Sequence, residues 1–138
     1  ISIGQQMGAN VSLLNVINEE LLYDILYGPG DIGMTGYESA ESIRSREDAL
    51  RANATEQMNS LKQTLKLPNL PHDIIVGTPA HAIVSAAESK NADLLVIGTH
   101  GRRGLARLLG STARTVVSRC RCEVLTVPLP KEPTGESA

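Results

Sequence analysis

Apolar positions along this chain follow two patterns, short solid runs and long spaced stripes. The solid runs are Val11 to Ile17 (VSLLNVI), Asp73 to Gly77 (DIIVG), Asp93 to Gly98 (DLLVIG) and Val124 to Val127 (VLTV). Their length, β-branched content and lack of polar alternation predict strands buried on both faces, as in a parallel sheet. The stripes lie between them. From Ser39 to Lys66, the residues Ile43, Leu50, Ala54, Met58, Leu61 and Leu65 recur at steps of seven, four, four, three and four, which is one face of a long helix, and Pro68 and Pro71 end it.

Thr78 followed by Pro79 reads as a helix start, a capping hydroxyl before a proline at the first helical position, with Ala80, Ile83, Val84 and Ala87 facing inward. Ser111 to Arg119 predicts a further helix that buries Ala113, Val116 and Val117. The first ten residues, ISIGQQMGAN, read as the last turns of a helix with Ile1, Met7 and more weakly Ile3 inward, and with Gly8 as its stop. Residues 18–36, which contain Gly28-Pro29-Gly30-Asp31, Gly33 and Gly36, read as a surface loop, and the tail from Pro128 as loose. Strands alternating with helices predict an α/β fold, an open and mostly parallel sheet with helices on both faces. Its connections should be right-handed, and any ligand should sit at the carboxyl ends of the strands.

With 138 residues the chain has room for one domain, assigned to residues 1–129 with a flexible tail at 130–138. Three Tyr and no Phe or Trp leave the core to aliphatic side chains and argue against reading nucleic acid by stacked rings. The net charge is −2, but Arg102, Arg103, Arg107, Arg114, Arg119 and Arg121 share a stretch, Leu94 to Cys122, that holds no Asp or Glu. Taking those six from the 13 basic residues leaves seven against 15 acidic ones elsewhere, so the remainder carries −8. One basic segment on an acidic chain suits a small anion better than a long polyanion.

Cys120 and Cys122 are too few for a disulfide framework and too close for a standard bridge, which points to a reducing compartment. Flanking Arg121, they read first as small packing positions, with a reactive thiol as the alternative. No run approaches the roughly 18 apolar residues of a membrane span, and the N-terminus lacks signal-peptide order, so the expected location is cytoplasmic, with no membrane partner. His72, beside Pro71, reads as a loop residue and His81 as a surface one; no metal site is expected from three scattered histidines. Asp24 and Asp31 read as loop-solubilising residues.

The segment Gly98-Thr99-His100-Gly101-Arg102-Arg103-Gly104 follows the DLLVIG strand directly, and Gly110-Ser111-Thr112 stands just ahead of the next helix. Glycines let successive N–H groups converge and allow close approach. A helix start adds free N–H groups and the positive end of its dipole, and Ser111 and Thr112 add hydroxyls. Spacing alone leaves two readings open, a phosphate cradle and a plain strand-to-helix turn. No Walker motif is present.

The same residues carry a resemblance. Gly98-x2-Gly101 followed by Gly110-Ser111 resembles the universal stress protein family, whose nucleotide-binding members carry Gly-x2-Gly-x9-Gly-Ser/Thr after the fourth strand of a flavodoxin-like five-stranded sheet. MGANVSLLNV is similar to the family's second strand, GTPAHAIVSAAESKNADLLVIGTHGRRG to its central block and CEVLTVPL to its last strand. The resemblance implies binding of ATP, ADP or AMP, with or without Mg2+. Val16 and Ile97 would lie by the adenine or ribose. Gly98, Gly101, Gly110, Ser111 and Thr112 would hold the ribose and phosphates, with His100 and Arg102 near the phosphate path. It also implies a homodimer through the last strand, Val124, Leu125, Thr126 and Val127.

Two features depart from the family pattern. Eight residues, not nine, separate Gly101 from Gly110, and one helical residue is a turn of about 100°. The family's first strand, which ends in a Val-Asp-x-Ser-like motif and sits between the second and fourth strands, has no counterpart here, so the native protein is expected to be longer at its N-terminus. The functional expectation is an adenine-nucleotide-binding regulatory module of the stress response. Its rival is a nucleotide-free dimeric scaffold. Without a dedicated water-activating base, turnover should be slow at most.

Overall fold

The computed structural model describes residues 1–20, 39–99 and 109–128. Among the described residues eight elements follow in order: α1 (Ser2–Gln6), β1 (Leu13–Asn18), α2 (Ala40–Thr64), β2 (His72–Gly77), α3 (Pro79–Ser89), β3 (Leu94–Gly98), α4 (Ser111–Arg119) and β4 (Glu123–Val127). The strands form two parallel pairs, β1 with β2 and β3 with β4, so the α/β alternation read from the sequence is present. Among the described residues each pair stands as a two-stranded sheet, β1-β2 and β3-β4. Two compact units result, Ile1–Thr78 and Pro79–Ala138.

In the first unit α2 packs on β1 and β2. Ser39 caps α2, its side-chain oxygen accepting from the Ser42 amide. The helix stops before the prolines are reached: Lys66 takes a left-handed φ of 58°, and the Leu67 amide returns to the Lys62 carbonyl, an arrangement that satisfies the last free carbonyls. Ala54 and Met58 are buried as the stripe predicts, but the third buried position is Lys62 (8% exposed), whereas Leu61 and Leu65 face outward. The stripe turns because Lys62 lies four residues beyond Met58 and its amine meets His72 Nδ1 at 3.2 Å. His72 is thereby the first residue of β2 and not a loop residue. A second polar pin joins the layers, Arg51 Nη1 donating to the Ile74 carbonyl at 3.3 Å while Glu47 holds the guanidinium at 2.9 Å.

Both strands of this unit are half-buried along their whole length, where full burial was expected. The helix α1 has only five residues, and Ile1, Ile3 and Met7 are exposed rather than inward. Gly8, at φ +70°, does supply the turn after it.

In the second unit α3 packs on α4. The most buried residues of α3 are Ala82, Ala86 and Ala87, while Ala80, Ile83 and Val84 are only half-buried; alanines let the two helices approach closely. In α4, Ala113 and Val116 are buried, Val116 completely, but Val117 is exposed. The pair β3 and β4 alternates: Leu95, Ile97, Val124 and Thr126 are half-buried, and Leu94, Val96, Leu125 and Val127 are exposed. The DLLVIG run is therefore apolar on both faces and covered on one, with Val96 (57% exposed) directly opposite Leu125 (50% exposed).

Candidate functional site

The carboxyl end of β3 and the start of α4 are joined by backbone hydrogen bonds. Gly98 pairs with Val127 at the end of β4, and the Thr99 amide extends that ladder by donating to the Val127 carbonyl at 2.9 Å. The Thr99 carbonyl then accepts from the Gly110 amide at 2.8 Å. One residue thus anchors both ends of the segment that runs from the strand to the helix.

Gly110 is the N-cap of α4, with φ −58° and ψ 155°, and the first bond of the helix runs from the Arg114 amide to the Gly110 carbonyl at 2.9 Å. The amides of Ser111, Thr112 and Ala113 precede that first bond and so lack partners within the helix. A glycine cap has no side chain with which to satisfy them, and no acidic residue occupies the first turn. Exposed Ser111 and half-buried Thr112 place hydroxyls on the same turn. Amides, hydroxyls and the positive end of the helix dipole form a donor set suited to an anion such as a phosphate.

Of the residues expected from the sequence, Ile97 and Gly98 lie on β3, and Gly110, Ser111 and Thr112 at the head of α4, brought together by the Thr99 bonds. Val16 lies in the other unit, on β1 opposite Ile75 and two residues before the strand ends. His100, Gly101 and Arg102 fall outside the described residues, as do Arg103 and Arg107, the loop glycines and the tail. Thr99 was not singled out by composition or spacing, although its place directly after a strand marks it. At the carboxyl end of the first sheet a further polar contact went unread: Thr78 donates its hydroxyl proton to Glu19 Oε1 at 2.7 Å. A surface groove of about 610 Å³ along the first turns of α2, lined by Ala40, Glu41, Arg44, Ser45 and Asp48, contains none of these residues.

Parallel strands alternating with helices, with a glycine-capped helix start tied to a strand's carboxyl end, define a doubly wound α/β protein of the kind that places ligands at strand ends. Comparison with known proteins narrows the class. The universal stress protein family is matched over residues 1–128, and the chain belongs to that family. It is 36% identical over 81 residues to universal stress protein A homolog 1 of Coxiella burnetii, a match covering 59% of this chain and 56% of the relative. The chain thus spans little more than half the length of that relative. Universal stress protein Sll1388 of Synechocystis is 28% identical over 134 residues, covering 92% of this chain and 84% of the relative. Among solved structures, that of MJ0577 from Methanocaldococcus jannaschii superimposes with a TM-score of 0.68 at 25% identity, covering 90% of this chain and 78% of the other.

Proposed function

We propose that this chain is an adenine-nucleotide-binding regulatory module of the cytoplasmic stress response, in which ATP, ADP or AMP, with or without Mg2+, sets partner choice or dimer state. The observation that carries the reading is the head of α4: three amides without helical partners, two hydroxyls, and a glycine cap tied to the strand end by the Gly110–Thr99 bond. Gly98, Gly101, Gly110, Ser111 and Thr112 hold the ribose and phosphates, His100 and Arg102 lie on the phosphate path, and Val16 and Ile97 border the adenine or ribose. The chemistry supplied by the bound group is charge and shape rather than turnover.

The scaffold alternative draws on the eight-residue spacing between Gly101 and Gly110. Against it, α4 begins at Ser111 and the Gly110 amide donates to the Thr99 carbonyl, which supports a place for the first amides of α4 beside the end of β3. The dimer is formed through β4, and its support is the exposed apolar pair Leu125 and Val127 on that strand.

Titration calorimetry with MgATP tests the site. Gly110 has backbone angles that any residue adopts, so Gly110→Val should still fold, losing only the roughly 1 kcal/mol of a poorer helix cap, while its branched side chain crowds the cradle and weakens binding by at least about tenfold. Unchanged affinity in the folded variant removes Gly110 from the site.

A further inference from the structure

The short link between α4 and β4 holds both cysteines of this sequence, Cys120 ending the helix and Cys122 standing just before the strand. Their sulfurs are 3.3 Å apart, and neither side chain is fully buried. The backbone of Cys120 has already turned to an extended conformation, φ −67° and ψ 140°, which sends the two side chains to the same side of the link. Exposed Arg119 and Arg121 flank the half-buried pair, and Arg121 Nε lies 3.7 Å from Glu88 Oε1.

We propose that Cys120 and Cys122 form a reversible dithiol–disulfide site, oxidised by a peroxide and reduced by a dithiol reductant. Bond formation needs the sulfurs to close from 3.3 Å to about 2.0 Å, a shift of about 1.3 Å that side-chain rotation and slight backbone adjustment can supply. A single intervening residue makes the closed ring strained, and strained, accessible disulfides are the readily reduced kind that serve as switches rather than staples.

The step balances. The Cys120 thiolate attacks one peroxide oxygen, the O–O bond breaks, and water (or an alcohol) leaves with the proton, giving a sulfenic acid. Cys122 sulfur attacks Cys120 Sγ, the S–O bond breaks, and a second water carries away the hydroxyl and the Cys122 proton. The two sulfurs lose two electrons and the peroxide gains them.

The order of the two residues follows from their surroundings. The Cys122 thiol is pushed above its ordinary range, first by partial burial and then by its hydrogen bond to Cys120 and the charge there, with backbone hydrogen bonds at Cys122 and Leu95 opposing the shift. The raised Cys122 thiol is the poorer nucleophile toward the oxidant and is assigned the resolving step.

The test treats the reduced 138-residue chain with one equivalent of hydrogen peroxide and reads intact mass, free thiols and a non-reducing gel. The wild-type chain should lose two hydrogens, lose both thiols together, remain a single chain on the gel and recover fully with dithiothreitol. Cys122→Ser should stop at a sulfenic acid on Cys120 that dimedone traps, and Cys120→Ser should react at least about tenfold more slowly than wild type. Oxygen adducts or chain-to-chain disulfides in the wild type, or thiols that persist while a small free thiol in the same tube is consumed, would overturn the proposal.

Discussion

The two halves of this molecule use the same parts to different ends. In Ile1–Thr78 a long helix lies over a parallel strand pair, and polar groups pin the layers together, Arg51 to the Ile74 carbonyl and Lys62 to His72. In Pro79–Ala138 the pinning is at the strand end instead, through the two Thr99 bonds, and one apolar face of the pair remains exposed. The first arrangement fixes a helix on a sheet, and the second fixes the start of a helix beside a strand end, where three amides have no partner within the helix. The contrast shows that one supersecondary unit can pin a helix along its length or at its start, depending on where its hydrogen bonds are made.

The contrast can be broken first through packing. Val116 is fully enclosed in the second unit, so Val116→Ala should lower the unfolding free energy by about 2 kcal/mol in a denaturant titration. A loss no larger than at an exposed site such as Val117 would mean that α4 is not held by its buried face. Next comes the uncovered strand face. If β4 joins two copies, Leu125→Lys should weaken dimerisation at least about tenfold in sedimentation analysis without unfolding the chain. An unchanged assembly would leave that face without a role in pairing.

A smaller effect separates the first unit's observed face from the one its sequence suggests. Lys62→Ala should cost about 1 kcal/mol through the lost His72 contact and buried stem, whereas Leu61→Ala should stay within about 0.5 kcal/mol. The reverse order would restore the leucine stripe. The smallest effect is alkaline. Because the folded value of Cys122 is raised, the folded chain keeps a proton that the unfolded chain gives up; this stability is complete below the ordinary thiol range and fades as pH rises through the folded value. Between about pH 7 and about pH 10, Cys122→Ser should therefore lose less stability than the wild type, measured as the shift in denaturation midpoint.

Much of the fold was legible because strand runs and helix stripes have different periods. All four solid runs became strands, and the expected helices are found at α2, α3 and α4. Burial was less legible. A run such as DLLVIG states that both faces are apolar, but which is covered depends on partners far away in sequence, and Val96 and Leu125 were left exposed. A lysine can be buried when a neighbouring strand offers an acceptor, as His72 does for Lys62, and no periodicity announces that. Glycine chemistry at 98 and 110 marked the candidate site, whereas the two backbone bonds of Thr99 that tie the strand end to the helix start leave no trace in residue type.

The measurement that bears most directly on the site is the small-molecule content of the purified protein, released by denaturation and identified by chromatography and mass spectrometry. Near-stoichiometric ATP, ADP or AMP is the predicted result, and it would also name the nucleotide. A protein that comes out empty, and that gives no heat when MgATP is added, would contradict the account and favour the scaffold.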